Sequence, residues 1–298
     1  DQVCVDLNAY LTKGADLISK LALRLNETDN YTKYQGEVSN RKSLMIQNLW
    51  NSSVNRFQHL NRTTRGLIPH FGQESTFYPL LADIANSTQK LAIFTDLQND
   101  SRFNWSVGNL LYTASKTDPD FVIDKNDTYQ STGPAWRGDI WAPDNYDVVK
   151  GLEDAGRHDL AAQLAYKTIT LFNTDAGSSR GFAEFYVLDS GVGKGSANDG
   201  WTASVFATLL IEDIFGVTYD VYDNRVTVFP HIPTAWDGSN IYMYNLTIPT
   251  TSDRLLVNIS AFASDQRNVK VAAYYPNGTL SENHYNLTLV LPLPYDRQ

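Results

Sequence analysis

The chain has 298 residues, 42% of them hydrophobic, and is therefore long enough to bury a large core. Its 33 acidic and 24 basic residues give a net charge of −9 without any lysine–arginine block, which excludes the basic surface of a protein that binds nucleic acid or an anionic membrane. No apolar run approaches the ~18 residues that a membrane-spanning helix needs, so we expect neither nucleic acid nor a membrane among the partners.

The N-terminal third shows the spacing of amphipathic helices. From Val5 to Leu25, leucine and isoleucine recur every three or four residues, which is typical of a helix with one apolar face. A second helix is predicted from Lys33 to Trp50, and shorter helical patterns cover Phe77–Ala85 and Thr88–Leu97. Between them, Phe57–Thr64 is polar and irregular and predicts a short hairpin.

The middle of the chain contains the clearest helices. They are predicted for Asn145–Ala155, which ends at the natural C-cap Gly156, and for Asp159–Phe172, which begins at a natural N-cap. A further apolar helix is predicted for Gly200–Phe215. Helices in pairs, joined by loops with unusual residues, predict a toroid or barrel of helical hairpins. Half a dozen helices supply about half of one, so we expect the C-terminal part of a longer protein.

After Gly216 the hydrophobic pattern changes its period. Alternating or β-branched segments, separated in places by Asp-Gly and Asn-Gly turns, predict a small antiparallel β region. The sequence therefore predicts a mainly α fold in two parts, a helical part at residues 1–216 and a β segment at residues 217–298. The predicted strands are Arg225–Phe229, Ile241–Thr247, Leu255–Phe262, Val269–Tyr275 and Tyr285–Leu291.

Twelve Asn-x-Ser/Thr acceptors are present, whereas about three or four would arise by chance. The excess predicts an N-glycosylated protein that is secreted or lies in the secretory lumen, although asparagine-rich loops also generate such motifs incidentally. No acceptor occurs between Asn126 and Asn245, as expected if that region is buried or stays open to a ligand. The acceptors are Asn26, Asn30, Asn51, Asn61, Asn86, Asn99, Asn104, Asn126, Asn245, Asn258, Asn277 and Asn286.

Residues 136–201 combine aromatic and polar side chains at a density that a structural core does not require. Aromatic faces suit the C–H faces of a sugar ring, and oriented donors and acceptors suit its hydroxyl groups. The Glu184 carboxylate lies between Phe182 and Phe185, an apolar setting typical of a general acid or base. The alternative is that the tryptophans form core and Glu184 is a solvated loop residue. The candidate residues are Trp136, Arg137, Asp139, Trp141, Asn145, Glu184, Tyr186 and Trp201.

Three motifs in this order carry a family resemblance. The first is Val5-Asp-Leu-Asn-Ala-Tyr10, which is similar to a motif of inverting α-glycosidases with an (α/α)6 barrel. The second is Trp136-Arg-Gly-Asp-Ile-Trp141 with Asn145-Tyr146, and the third is Glu184-Phe-Tyr186 with Gly200-Trp-Thr202. These two look like the Trp-Arg-Gly segment and the base-carrying loop of glycoside hydrolase family 63. The resemblance covers roughly residues 5–215 and implies part of an (α/α)6 barrel.

The resemblance implies an exo-acting hydrolase of α-linked glucose or mannose that inverts the anomeric carbon. One carboxylic acid then protonates the leaving oxygen, and a second carboxylate activates water. By motif position Glu184 would be the general base, and the family's general acid would precede residue 1. Asp6 belongs to the Asp-Leu-Asn motif and is assigned to substrate binding rather than to the acid role. We therefore predict an α-glucosidase-like enzyme acting on α-linked oligosaccharides.

Alternatives remain open for the substrate and for catalysis itself. Asp139 stands where the family usually has proline, and its carboxylate would bind a substrate hydroxyl or pair with Arg137. Trehalases share the Asp-Leu-Asn motif, so hydrolysis of an α,α-glucoside ranks second. A third interpretation is a non-catalytic carbohydrate-binding protein that kept the barrel.

A companion chain is also expected. The rest of the barrel would come from the N-terminal fragment of the same precursor after proteolytic nicking. Cys4, the single cysteine, would then bridge to that fragment. The five histidines lack metal-ligand spacing, and Gly191–Ser196 lacks the strand and the lysine–hydroxyl pair of a phosphate loop, so we expect neither a metal nor a cofactor.

Overall fold

A computed structural model describes residues 1–103, 113–123, 134–176, 181–188, 190–236, 239–248, 253–262, 266–283 and 285–289. The chain forms two compact units, Asp1–Val205 and Phe206–Gln298. The first unit is built mainly from helices and the second mainly from strands. This confirms the predicted mainly α fold with a following β segment, although the units divide before residue 216 and within the last α-helix.

The described residues contain seven α-helices, and none of these is both long and apolar enough to cross a membrane. The predicted helices Val5–Leu25 and Thr88–Leu97 agree with the observed ones to within one residue at each end. The helices are α1 Val5–Arg24, α2 Thr28–Leu49, α3 Gln73–Thr76, α4 Ser87–Leu97, α5 Ala142–Asp154, α6 His158–Ala176 and α7 Gly200–Thr208.

Local sequence signals account for several helix ends. The Asn86 side chain accepts a hydrogen bond from the Gln89 backbone N–H, and the Gln89 side chain accepts one from the Asn86 N–H, which forms a capping box before α4. Pro143 lies in the first turn of α5, where its missing N–H is not needed. Gly156 follows α5 with a φ of +77°, which confirms the predicted C-cap.

Two predicted helices deviate from α geometry. Within Phe77–Ala85 the chain forms a 3₁₀ segment, Tyr78–Asp83, which is interrupted at Leu81 and Ala82 by non-helical dihedral angles. Pro79 at its start donates no backbone hydrogen bond. The predicted helix Gly200–Phe215 is α-helical only to Thr208 and continues as a π-helical segment, Leu209–Ile214.

Short strands tie the loops of the first unit together. Two antiparallel pairs join β1 with β4 and β2 with β3, and the predicted hairpin near Phe57–Thr64 closes through a bridge between Leu60 and Leu67. A three-stranded sheet has the order β5-β6-β7. The strands are β1 Gln2–Val3, β2 Trp50–Asn51, β3 Arg56–Phe57, β4 Leu60–Asn61, β5 Ile140–Trp141, β6 Phe185–Tyr186 and β7 Gly193–Lys194.

The second unit contains two three-stranded sheets. One has the antiparallel order β10-β11-β12, and the other has the order β13-β9-β8, in which β13 pairs parallel with β9. Next to β11, the buried Asp253 carboxylate accepts hydrogen bonds from Ser281, Asn283 and Tyr285 and so fixes the connection to β13. The strands are β8 Val217–Asp220, β9 Arg225–Val228, β10 Asn240–Thr247, β11 Arg254–Phe262, β12 Gln266–Tyr274 and β13 Asn286–Leu289.

Helix α1 buries its small residues and exposes its large ones. Helix α2 packs against α1, and a hydrogen bond of 2.6 Å from Gln35 to Ser19 joins the two. The buried positions of α1 are Val5, Ala9, Thr12, Ala15, Ser19 and Ala22. An apolar stripe at spacings of three, four and seven residues remains exposed, and we name it the α1 apolar face. It consists of Leu7, Leu11, Ile18 and Leu21, which are 44–55% exposed.

A buried ion pair holds α4 to the short strands. Two guanidinium nitrogens of Arg56 donate to the Asp96 carboxylate, one of them over 2.8 Å, and Arg102 donates to the same carboxylate. Burial raises the pKa of Asp96, and Arg56 opposes that rise. Removal of the carboxylate would leave Arg56 buried without its partner.

We expect Asp96→Ala to lower the free energy of unfolding by about 3 kcal/mol, because an uncompensated buried charge is costly. Glu37→Ala is the control, because it breaks a half-exposed pair with Arg41 worth less than about 1 kcal/mol. Urea unfolding measures both. If both variants unfold at the same midpoint urea concentration, and the unfolding free energy depends on urea as in the wild type, a stabilising role for the buried pair is contradicted.

Candidate active site

The sheet β5-β6-β7 gathers much of the predicted catalytic stretch. Strand β6 lies between the other two, with Trp141 opposite Phe185 and Phe185 opposite Lys194. Glu184 directly precedes β6. The buried Thr202 hydroxyl donates to the Ala183 carbonyl over 2.8 Å and so fixes the backbone just before Glu184.

The half-buried Glu184 side chain is held by the segment that follows β7. Its carboxylate Oε2 accepts two hydrogen bonds from Ser196, one from the backbone N–H and one from the hydroxyl, both 2.9 Å long. Its own N–H faces the carbonyls of Lys194 at 3.1 Å and Ser196 at 3.2 Å. The surroundings of the Glu184 side chain are therefore more polar than the neighbouring phenylalanines in the sequence predict.

Three aromatic rings form a continuous stack from the surface into the first unit. Trp136 stacks on Trp141 with 3.5 Å between ring centroids, and Trp141 stacks on Phe185 at 5.2 Å. Trp136 is 41% exposed, whereas Trp141 and Phe185 are buried. Trp201 is 62% exposed at the start of α7. Of the three candidate tryptophans, Trp136 and Trp201 are therefore exposed, whereas Trp141 is buried and stacks on Trp136.

Three predicted substrate-binding residues are fully buried. The Asp139 carboxylate faces the Leu188 N–H at 3.4 Å, and the Asn145 amide donates to the Trp141 carbonyl over 2.9 Å. Tyr186 stacks on Phe172 in the core. Arg137 by contrast is exposed, and its carbonyl accepts a hydrogen bond from Val122. Substrate binding by these residues stays a prediction.

An acidic cavity of about 340 Å³ lies between α1, α3 and the start of α5. Three carboxylates and two tyrosines line it. Among the lining residues, only Asp6 and Trp136 were predicted from the sequence to bind substrate. Glu184 is not part of this lining. The lining residues are Gln2, Cys4, Asp6, Tyr10, His59, Glu74, Tyr78, Thr113, Trp136 and Asp144.

Asp144 is the most perturbed carboxyl group of this cavity. Its Oδ1 accepts a 2.7 Å hydrogen bond from Tyr78, whereas Oδ2 is buried without a hydrogen-bond partner among the described residues. Burial raises the pKa of Asp144 to about 7, and the bond from Tyr78 opposes that rise. The nearby Glu74, Asp147 and Asp6 carboxylates add to it, so Asp144 is half protonated near neutral pH.

The two tyrosines extend this network to α1. Tyr10 donates to Asp147, and its ring meets Tyr78 edge to face at 5.6 Å. Burial raises the pKa of Tyr78 well above its ordinary value, and the neighbouring Asp144 contributes. Both phenols therefore stay protonated and serve as hydrogen-bond donors.

Among the described residues, the cavity contains one group of potential metal ligands. Ligand atoms of Cys4, Asp6 and His59 lie within 4.8 Å of one another. Burial raises the pKa of the Cys4 thiol, and the Asp6 charge adds to the rise, so the thiolate that a metal needs is disfavoured. His59 Nδ1 already accepts a 3.0 Å bond from the Val5 N–H, which places the ring proton on Nε2, toward Glu74. These residues are therefore poorly prepared to hold a metal.

Asp144, Glu74 and Tyr78 were not among the candidate site residues predicted from the sequence. Tyr78 and Asp144 are 66 positions apart, and only packing of the 3₁₀ segment against α5 brings them together. The one local signal is the position of Asp144 inside the Trp-Arg-Gly motif, directly before Asn145.

Exposed aromatic rings, a carboxylate held by hydrogen bonds and a fold of paired helices are features that glycoside hydrolases combine. The family profile of the mannosylglycerate hydrolase MGH1-like glycoside hydrolase domain matches residues 1–202, and the chain belongs to this family. A mannosylglycerate hydrolase from Thermus thermophilus is 30% identical over 83 residues, which are 28% of this chain and 19% of that protein.

Two solved structures show the same fold. The glycoside hydrolase family 63 mannosylglycerate hydrolase from Thermus thermophilus, crystallised with Tris, has 23% identity and a TM-score of 0.57, over 70% of this chain and 45% of its own. Neutral trehalase from Saccharomyces cerevisiae has 17% identity and a TM-score of 0.55, over 70% of this chain and 38% of its own. The predicted (α/α)6 type is thus confirmed, and the chain spans less than half of each relative's length.

Proposed function

We propose that the chain carries the general base of an exo-acting, inverting α-glycosidase of the α-glucosidase type, and that Glu184 is this base. The observation that carries the proposal is the geometry of the carboxylate. Oε2 is held by Ser196, while Oε1 accepts no hydrogen bond from any described residue. A general base needs this combination of a fixed orientation and an oxygen that water can reach.

The charge of the cavity favours a neutral substrate. Asp6 and Trp136, two residues assigned to sugar binding by their motifs, line the cavity together with Glu74 and Asp144. These carboxylates would repel an anionic group such as the carboxylate of mannosylglycerate, which the name of the Thermus enzyme denotes. We therefore place neutral α-linked oligosaccharides first. Trehalose, which is also neutral, ranks second because of the fold shared with the trehalase.

Hydrolysis of a substrate panel tests the reaction class. The panel contains α-linked glucose disaccharides, trehalose and mannosylglycerate, and proton NMR records the first anomer released. We expect turnover of a neutral α-glucoside with the β-anomer appearing first. An initial α-anomer would contradict inversion, and fastest turnover of mannosylglycerate would contradict the substrate class. Saturable sugar binding without turnover by the natural protein, with its N-terminal companion present, would establish the non-catalytic alternative.

We also propose that the N-terminal fragment of the same precursor completes the barrel. The α1 apolar face and the greater length of the relatives support this companion, because several half-exposed leucines in a row need a cover. Cys4, which forms no disulfide with any described residue, would bridge to it.

Intact mass and paired gels of the purified natural protein test the companion. We expect a second polypeptide beside the 33.4 kDa chain, and slower migration without reductant than with it. Identical bands in both gels would contradict a disulfide between Cys4 and the companion. A fully active preparation that contains only the 33.4 kDa chain would contradict the need for a companion.

Secretion and N-glycosylation are proposed from the acceptor positions. Asn104, Asn126 and the side chain of Asn258 lie outside the described residues. Asn51, Asn61 and Asn99 are half-buried. The remaining six acceptors are exposed, as glycosylation requires. They are Asn26, Asn30, Asn86, Asn245, Asn277 and Asn286.

We expect peptide-N-glycosidase treatment of the natural protein to lower its mass in several steps and to convert the modified asparagines to aspartate. Peptide mapping then assigns the sites, with the six exposed acceptors occupied most fully. A peptide map in which all twelve acceptors remain unmodified asparagine in the untreated protein would contradict passage through a glycosylating compartment.

A further inference from the structure

We infer that Ser196 is the positioning residue of the Glu184 carboxylate, an inference that rests on the proposed role of Glu184. Both donors of Ser196 converge on the same oxygen, Oε2, at 2.9 Å. The Glu184 N–H in turn faces the Ser196 carbonyl at 3.2 Å. Ser196, twelve positions further along the chain, thus forms hydrogen bonds with both the backbone and the side chain of Glu184.

The turn before Ser196 allows this close approach. Gly195 has a φ of +71°, which residues with a side chain rarely adopt. A Cβ atom at Gly195 would lie 2.6 Å from Glu184 Oε2, 2.8 Å from Glu184 Cβ and 3.0 Å from Phe185 Cε1. Only glycine therefore lets the chain pass directly over the Glu184 side chain and present the next residue to the carboxylate.

The two bonds fix the orientation of Oε1. A carboxylate with one anchored oxygen retains little freedom about its last torsion, so the second oxygen points in one direction. No described residue donates to Oε1, so no donor among them competes with a water for that oxygen of the half-buried Glu184. An oriented base lowers the barrier by holding the attacking water near its reactive geometry.

Ser196→Ala removes the hydroxyl and leaves the backbone donor, so it tests orientation without deleting the base. We expect kcat to fall roughly 10-fold with KM unchanged within a factor of two, since a loosened catalytic group loses transition-state rather than ground-state interactions. The acid limb of the kcat/KM profile should move to higher pH, because a donor to the ionised form is lost. Ser196→Thr should restore both.

Ser204→Ala is the matched control, since Ser204 is also exposed and its hydroxyl donates to the Gly200 carbonyl instead. Glu184→Gln is the reference. If Glu184→Gln is inactive but Ser196→Ala and Ser204→Ala both have the kcat of the wild type, the positioning role is overturned. The role of Glu184 as the base is then unaffected. A lower melting temperature and kcat with an unmoved acid limb would also overturn it, as a merely structural effect. An active Glu184→Gln enzyme would overturn the proposed function first.

Discussion

Glu184→Gln is expected to lower kcat by about 10²–10⁴-fold, the contribution of a positioned general base. The amide has nearly the same shape as the carboxylate, and its oxygen can still accept both hydrogen bonds from Ser196. It cannot take a proton from water. The variant should therefore fold and bind substrate, with the loss confined to turnover, as steady-state kinetics on the best substrate of the panel would measure.

Glu282→Gln, at an exposed position of the second unit, controls for the loss of one negative charge. Its kcat should equal that of the wild type, and thermal unfolding should show both variants folded. If Glu184→Gln retained activity within tenfold of the wild type, another group would supply the base.

Sequence patterns located the elements well where the determining interactions are local. The period of α1 and the glycine after α5 each depend on residues within four or five positions. Two-residue strands such as β5 and β6 carry no periodic signal, because their pairing joins Trp141 to Phe185 across 44 positions. The candidate site residues were therefore predicted from motifs, whereas the pairing of β5 with β6 could not be predicted from the sequence.

The α1 apolar face shows the limit of periodicity most clearly. The pattern correctly predicts an amphipathic helix, but it cannot say which neighbour covers each side. In the first unit the small residues are buried, and the large apolar residues of the α1 apolar face remain exposed. The acidic cavity is a similar case, because Tyr78 and Asp144 meet only through tertiary packing.

Asp144→Asn is expected to change how stability depends on pH. The pKa of Asp144 rises from the ordinary 3.8 to about 7 in the folded protein, so the folded state binds this proton more tightly than the unfolded state does. The stability linked to this proton is present below pH 4 and is lost as the pH rises from about 4 to about 7. Beyond that range the ionised carboxylate remains buried beside Asp6 and Glu74.

Asparagine removes the titration and can still accept the hydrogen bond from Tyr78. Relative to the wild type, Asp144→Asn should therefore gain up to about 4 kcal/mol of unfolding free energy between pH 4 and pH 8, since a tenfold change in proton affinity is worth about 1.4 kcal/mol. Urea unfolding across this range measures the gain, with the exposed Asp29→Asn as control. Parallel curves for wild type and Asp144→Asn would mean that Asp144 is ionised throughout, and the cavity would then repel anionic substrates fully even below neutral pH.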